Sequence, residues 1–382
     1  MIKIMLSAGE VSGDIHGAAL AKELKKSNSA LYLFGMGGEK MRLAGVDIKY
    51  DLSAKGTVGI MEVIKFLPSI LFGLAKMKKL LKKEKPDILT LIDYQGFNML
   101  LAKYAKKLGI KTVYYIAPQE WLWGTPKGIK NVVETIDKLL CIFEEEAKIY
   151  KENGGNAVYV GNPNIDTARP SSSKEDFCKT AGLNPKFPIF GLFPGSRHQE
   201  LDALLPVFTS AAGLIKKRIP NAQFVIALSS LQFKTKVNSY LQKHKINIPA
   251  LYGRSHDILS ASNVAIAASG TIIMEAAIIN TPAIMAYKIS ALTYLIAKHI
   301  VKIKLPYFTM PNIIANKMIV PEIMQSDATE CNIAGKAVQM LTDPEEIKAI
   351  KEGFRLVRAR LGAPGAVKRA AEEIMTELRG KI

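Results

Sequence analysis

Cysteine is scarce in this 382-residue sequence: Cys141, Cys178 and Cys331 stand far apart, with no Cys-x-x-Cys pair. An odd, scattered set excludes a disulfide framework or a zinc knuckle and suits a reducing compartment. Apolar residues never run to the ~18 in succession that a bilayer span requires. Residues 1–7 lead straight into a glycine-rich turn, without the apolar core and cleavage site of a signal peptide. Glycine and proline, 28 and 18 residues, are too few for a collagenous or low-complexity chain, and 48% hydrophobic with 23% charged residues is a globular composition. Acidic residues are in deficit, 34 against 52 Lys+Arg, for a formal net charge of +18. Such an excess faces something anionic: nucleic acid, acidic lipid or a phosphorylated small molecule.

Short β-like runs alternate with helix-period segments, the rhythm of an α/β protein with parallel sheets. Strands are expected at 2–6, 31–34, 88–92, 112–116, 139–143 and 157–160. The rhythm restarts at 188–193, 223–228, 250–252, 264–267 and 283–287. Between the two series, 162–173 holds two prolines and a Ser-Ser-Ser run and reads as a linker. The expected fold is α/β, two Rossmann-like domains facing each other across a ligand cleft. Their bounds are 1–165 and 174–345, with the Lys-, Arg-, Glu- and Ala-rich helices of 346–382 packing back on the first domain.

Ligands of open α/β sheets bind beyond the carboxyl ends of the strands, so post-strand residues are the candidates. Ser7-Ala8-Gly9-Glu10-Val11-Ser12-Gly13-Asp14-Ile15-His16-Gly17 fits neither GxGxxG nor a Walker A loop, which argues against a dinucleotide or ATP. It is either a substrate-facing loop, with Gly13, Asp14 and His16 at the ligand, or a turn whose glycines serve packing. Asp93, with Asn98 nearby, is either a general base toward a substrate hydroxyl or a helix N-cap. Trp121 and Trp123 form an apolar wall for a sugar or anchor their loop to the core.

The second half carries the strongest cluster. Pro194-Gly195-Ser196-Arg197 offers backbone amides and a guanidinium fork suited to phosphate. Ser269-Gly270-Thr271 opens a helix whose amides can cradle a diphosphate, and Glu275 one turn on can bond a ribose diol. Together they point to a nucleoside diphosphate. Asn312, in Pro311-Asn312-Ile313, could offer a further amide. No histidine has metal partners at ligand spacing, so neither metal nor cofactor is expected.

A membrane contact is expected where Val63, Ile64, Phe66, Leu67, Ile70, Leu71 and Phe72 precede Lys76, Lys78, Lys79, Lys82, Lys83 and Lys85. A short apolar segment running into lysines suits an acidic bilayer interface; the alternative is a core helix with a solvated basic end. Residues 294–304 could extend that face or form a core helix. The charge is mostly lysine beside apolar runs rather than arginine interleaved with aromatics, which disfavours nucleic acid as a partner.

Taken together, these segments resemble the lipid A disaccharide synthase family, glycosyltransferases of the two-Rossmann GT-B type. The likeness rests on SAGEVSGDIHGA from Ser7, GIMEV at 59–63, IDYQGFN at 92–98, APQ-x-W-x-W at 117–123, PGSR at 194–197, ASGT with Glu275, and the LPY and MPN segments at 305–312. The resemblance implies transfer of 2,3-diacylglucosamine from its UDP derivative to the 6-hydroxyl of 2,3-diacylglucosamine 1-phosphate. The products are the β-1,6-linked disaccharide phosphate and UDP. It implies a cytoplasmic protein, peripheral on the inner face of the bacterial inner membrane, and a homodimer is allowed for. Asp93 would then be the base of an inverting transfer, with Gly13, Asp14, His16 and Asn98 binding the acceptor or supporting the base. UDP would lie on Gly195, Ser196, Arg197, Ser269, Gly270, Thr271, Glu275 and Asn312. The sequence departs from the family at Ala117, where many members have serine, and at Glu144, where proline is usual. It also lacks the arginine that usually follows the second tryptophan, leaving Lys127 or Lys130 as substitutes. A related UDP-sugar enzyme, such as a 2-epimerase or a peptidoglycan glycosyltransferase, is the alternative.

Overall fold

The computed structural model describes residues 1–52, 60–288 and 306–379, with backbone alone for 60–66, 123 and 379. It forms two units, Met1–Thr167 together with the chain from Leu361 onward, and Ala168–Arg360.

The first unit is built on seven strands: β1 (Lys3–Ala8), β2 (Tyr32–Met36), β3 (Asp47–Tyr50), β4 (Ile88–Ile92), β5 (Lys111–Tyr115), β6 (Lys138–Cys141) and β7 (Ala157–Tyr159), in the order β3-β2-β1-β4-β5-β6-β7. The second has six: β8 (Ile189–Phe193), β9 (Gln223–Leu228), β10 (Ala250–Tyr252), β11 (Val264–Ala268), β12 (Ala283–Tyr287) and β13 (Glu322–Met324), in the order β10-β9-β8-β11-β12-β13. All pairings are parallel. Parallel sheets are covered by helices on both faces, which is why their central strands are apolar without alternation. β4 (ILTLI), β8 (IFGLF) and β11 (VAIAA) are buried at every residue.

Both units wind the same way. The first strand lies near the middle, the chain moves outward through two strands, then crosses back to the other side of its start. The winding therefore reverses between β1 and β4 in one unit and between β8 and β11 in the other. Such reversal points splay the following loops apart and open a crevice at the carboxyl edge. β3 and β13 are edge strands of mixed polarity that the sequence reading did not anticipate; each is only half-buried along most of its length.

The expected block 346–382 is divided by the structure. Helix Pro344–Arg360 stays in the second unit, because its buried stripe of Ile350, Phe354 and Val357 packs there. Arg358 Nη1 donates to Ala277 O at 2.7 Å and to Asn280 Oδ1 at 3.1 Å. Only helix Ala366–Arg379 returns to the first unit, against helix Val11–Ser27. Asp166 receives it by accepting the Gly365 and Val367 amides at 2.7 and 3.0 Å. Lys138 pairs with Glu373 and with Glu377, the latter at 3.0 Å. The supposed linker begins later than 162, since Asn164–Thr167 is helical. Its serines are pinned to the second unit: Asp257 accepts from Ser171 N and Oγ at 2.7 and 2.8 Å and from Ser172 N at 2.9 Å.

One buried carboxyl makes the first unit pH-sensitive. Glu146, in helix Glu144–Glu152, is fully buried, and its Oε2 accepts the Ile142 amide at 2.9 Å. Burial pushes its pKa up to about 8, against the pull of the Ile142 and Phe143 amides. A folded-state pKa above the unfolded one means stability is full at acid pH and is lost as pH rises toward 8. Glu146→Gln keeps an acceptor for the amides and removes the titration. Thermal melts are expected to show the variant gaining on the wild-type protein steadily between pH 5 and 8; parallel pH profiles would refute this.

Candidate functional site

In the second unit, Gly195 follows β8 with φ +122°, a conformation relaxed only for glycine. Glu200 packs into the space that a Cβ there would occupy. Glu200 Oε2 accepts the Ser196 amide at 2.9 Å, and Oε1 accepts from Arg197 Nη1 at 2.8 Å. The amide expected to be open at Ser196 is therefore held by a buried carboxylate. Ser229 Oγ steadies the turn from β9 by donating to Gly195 O at 3.1 Å. Tyr287, ending β12, faces the same pair: burial raises its hydroxyl pKa, Glu200 adds to the rise, and Arg197 opposes it.

Beside this turn, Ser269-Gly270-Thr271 follows β11, the parallel neighbour of β8. Gly270 takes φ +145° and has no neighbouring atom within 4 Å of its missing side chain. Helix Thr271–Ile279 thus begins on open space. Ile273 N donates to Gly270 O at 3.3 Å, and the helix start carries the positive end of the helix dipole. Glu275, one turn along, has Oε2 3.0 Å from His256 Nε2. Asn312 does not join this group. Its Nδ2 donates to Val320 O and Glu322 Oε1, both at 2.8 Å, and its Oδ1 accepts the Ile319 and Val320 amides, also at 2.8 Å. The side-chain amide thus holds 319–322 to helix Met310–Ala315.

In the first unit, Asp93 follows β4 at the reversal point. Asp93 and Tyr94 have φ of 50° and 51°, and Ile116, after β5, has φ 58°. Left-handed backbone at non-glycine residues costs roughly 1–3 kcal/mol each and persists only where the surroundings over-determine it. Here they do. The Asp93 amide donates to Tyr115 O at 3.1 Å, and its carbonyl accepts from Asn98 Nδ2 and Tyr114 OH, each at 2.7 Å. Burial first, and the Asp93 carboxylate second, push the Tyr114 hydroxyl pKa upward. The N-cap of helix Gln95–Lys107 is Tyr94, not Asp93, so the capping alternative does not describe this turn.

Three other candidate residues of this unit make internal contacts. Asn98 is fully buried and also takes a 2.7 Å hydrogen bond from Ser7 Oγ on β1, so it clamps the Asp93 turn. Asp14 Oδ1 accepts the Gly38 and Met41 amides at 2.7 and 3.0 Å and Oδ2 the Lys40 amide at 3.0 Å. It caps the short helix Glu39–Leu43. Gly13 is a packing glycine, its missing Cβ only 3.3 Å from Ala8 Cβ. His16 is buried in helix Val11–Ser27. At Gly9 a side chain would overlap the Tyr94 ring, which binds the two post-strand turns together.

The tryptophan loop is tied down from inside. The Trp121 ring lies 5.5 Å from Phe143, Tyr150 donates to Pro118 O, and Gln95 donates to Glu120, whose carboxylate fills the space left by Gly124 and Gly128. Trp121 is thus an anchor; the Trp123 side chain lies outside the described residues. Lys127 is exposed, whereas Lys130 pairs with Glu134 at 3.8 Å. Glu144 is the first helical residue, where proline and glutamate both fit.

Helix Ile60–Glu84 runs unbroken through Pro68. Leu74, Met77 and Leu81 bury one face of it, while Leu67, Leu71 and Phe72 are 42, 54 and 64% exposed and Ile70 is half-buried. It is a core helix and an exposed apolar ridge at once. The side chains of Val63, Ile64 and Phe66, and all of 294–304, lie outside the described residues. Among the described residues no helix is long and apolar enough to cross a membrane.

The family model for lipid-A-disaccharide synthetase matches residues 4–374. The chain belongs to the lipid-A-disaccharide synthase family. Full-length relatives agree. A lipid-A-disaccharide synthase of Trichlorobacter lovleyi is 36% identical over 374 residues, 98% of this chain and 97% of that protein. One from Geobacter metallireducens is 35% identical over 379 residues, 99% and 98%. Members of the lipid-A-disaccharide synthase family are glycosyltransferases of lipid A biosynthesis, and this chain is accordingly such an enzyme. Solved structures give the fold. A UDP-GlcNAc 2-epimerase from Neisseria meningitidis bound to UDP-GlcNAc superposes with a TM-score of 0.65 at 14% identity, over 98% of this chain and all of that one. The UDP co-structure of MnaA from S. aureus gives 0.66 at 15%, over 99% and 97%. With the two parallel sheets, these likenesses establish the two-domain GT-B fold for this family member.

The sequence motifs of the family thus divide in the structure. Asp93 in one unit, and Arg197, Ser269, Gly270, Thr271 and Glu275 in the other, stand at the two reversal points. Asp14, Asn98 and Asn312 hold backbone. Glu200 was missed: with arginine at the N-cap, no capping box marks its reach back to the Ser196 amide.

Proposed function

We propose that the chain joins UDP-2,3-diacylglucosamine to 2,3-diacylglucosamine 1-phosphate, releasing UDP and the β-1,6-linked disaccharide phosphate. The observation that carries this reading is Asp93, a carboxylate fixed at the reversal point of the first sheet in a chain that the family spans end to end. Asp93 takes the proton of the acceptor 6-hydroxyl as that oxygen attacks the anomeric carbon of the donor. The anomeric C–O bond to UDP breaks on the opposite side, inverting the configuration. Negative charge gathers on the diphosphate, where Arg197 and the amides opening helix Thr271–Ile279 offset it. Glu275 takes the ribose. An epimerase of the same fold bound to UDP-GlcNAc supports a UDP-sugar as the donor. The test is UDP release from the diacylated donor with and without the monosaccharide phosphate. UDP formation that needs both substrates and yields only the β-anomer supports the proposal. Donor conversion without acceptor would instead favour a 2-epimerase.

The acceptor reaches the first unit from a bilayer through helix Ile60–Glu84. Leu67, Leu71 and Phe72 enter the acyl boundary, worth ~1.5–3 kcal/mol each when fully buried. The exposed Lys76, Lys79, Lys82 and Lys83 meet anionic headgroups of the cytoplasmic leaflet, at roughly 1 kcal/mol apiece near the surface. Changing Leu67, Leu71 and Phe72 together to serine is expected to lower co-sedimentation with anionic vesicles at least tenfold, with UDP binding intact. Unchanged sedimentation would return that ridge to another role.

A further inference from the structure

His256 belongs to none of the segments that mark the family, yet the fold takes trouble to place it. It is the second residue of helix Ser255–Ala261, and its neighbours are locked on both sides. Arg254 Nε donates to Asp257 at 2.7 Å and Nη2 to Ser172 Oγ at 2.9 Å, while its guanidinium lies 5.4 Å from the centre of the Phe177 ring. Asp257, fully enclosed, collects Ser171 and Ser172 as described above. Burial alone would raise the Asp257 carboxyl pKa, but these hydrogen bonds outweigh it and hold it below its ordinary value. The turn is therefore rigid, and what it presents is the imidazole, with Nε2 3.0 Å from Glu275 Oε2. The two side chains are 27 and 14% exposed, so the pair sits at a surface opening rather than in the core.

We propose that His256 is a positioning residue for ribose recognition: it holds one oxygen of Glu275 so that the other stays aimed at the sugar hydroxyls of the nucleotide. The inference rests on the reading that the second unit takes UDP, and adds a residue and a selectivity to it. Against a carboxylate the ring nitrogen donates. A glutamate without such a partner turns about three side-chain torsions; one held at Oε2 keeps Oε1 in a single direction. The consequence is specific. A ribose hydroxyl bonded to a fixed carboxylate discriminates strongly against its absence, because the carboxylate is then left unsatisfied. The same hydroxyl gains less from a carboxylate free to turn to water.

The experiment is calorimetric titration of the full chain with UDP and with 2′-deoxy-UDP, for the wild-type protein and for His256→Ala, His256→Gln and Glu275→Gln. The wild-type protein is expected to prefer UDP by about tenfold or more, the range of a hydrogen bond to a charged group. His256→Ala should bring that ratio to within about threefold of unity, through weaker UDP binding with 2′-deoxy-UDP little changed. Glutamine, whose amide also donates, should restore part of the ratio. A purely structural role would lower both affinities together, and that result overturns the proposal. So does a UDP preference that survives His256→Ala. If UDP fails to bind the wild-type protein, the donor-site reading falls, and this inference with it. If UDP binds and only the ratio is insensitive to His256, the donor site stands and the positioning role is gone.

Discussion

Asp93→Asn is expected to lower turnover by about a hundredfold to ten-thousandfold, the usual contribution of a general base, with UDP affinity within about twofold of the wild-type value. The substitution is informative because the fold should not feel it. Asparagine tolerates left-handed backbone nearly as well as aspartate does. Asn98 and Tyr114 hold the Asp93 carbonyl and Tyr115 O holds its amide, and these backbone contacts persist with asparagine in place. Alanine at the same place would confound lost chemistry with strained backbone. Steady-state kinetics with UDP titration decide the matter. Turnover like that of the wild-type protein would remove Asp93 from the mechanism.

The second large effect is expected at Arg197. Arg197→Ala should reduce kcat/KM by at least about a hundredfold, the scale on which a single donor to developing charge acts, and should weaken UDP more than UMP. Glu200 adds a further prediction. With the guanidinium gone, its buried carboxylate keeps the Ser196 amide but loses its cation, and a diphosphate arriving there meets bare negative charge. Adding Glu200→Gln to Arg197→Ala should therefore recover part of the loss, although it restores no donor. A double variant no better than the single one would show that Glu200 does not face the phosphates.

Much of this arrangement is legible in the residues themselves. The buried strands β4, β8, β9 and β11 read directly from the sequence because each is an apolar run stopped by turn residues. The edge strands β3 and β13 do not: Asp-Ile-Lys-Tyr alternates over only four residues and Glu-Ile-Met spans three, too short to stand out without a neighbouring backbone to bond. The winding shared by the two units is likewise invisible, since it is conserved in topology and not in residues. Asp93, Arg197 and Ser269-Gly270-Thr271 follow strands at the reversal points, as the apolar runs ahead of them indicate. Short polar side chains are harder to read. Asp14, Asn98 and Asn312 stand in loops where a ligand contact and an internal clamp call for the same residue types, and only the positions of the amides they satisfy tell the two apart. The left-handed turns at Asp93, Tyr94 and Ile116 are imposed by hydrogen bonds from distant strands, so no local pattern announces them. The partnership of His256 with Glu275 joins two helices separated by a strand, and spacing carries no sign of it.

The return of helix Ala366–Arg379 sets an order of assembly. The second unit is one uninterrupted stretch, whereas the first lacks the cover over helix Val11–Ser27 until residues beyond Leu361 have been made. On the ribosome, then, the later-coded unit has all its parts before the earlier one does. The amino-terminal sheet waits, with the seats for Ile374 and Leu378 uncovered, and is exposed to proteases and chaperones throughout that interval.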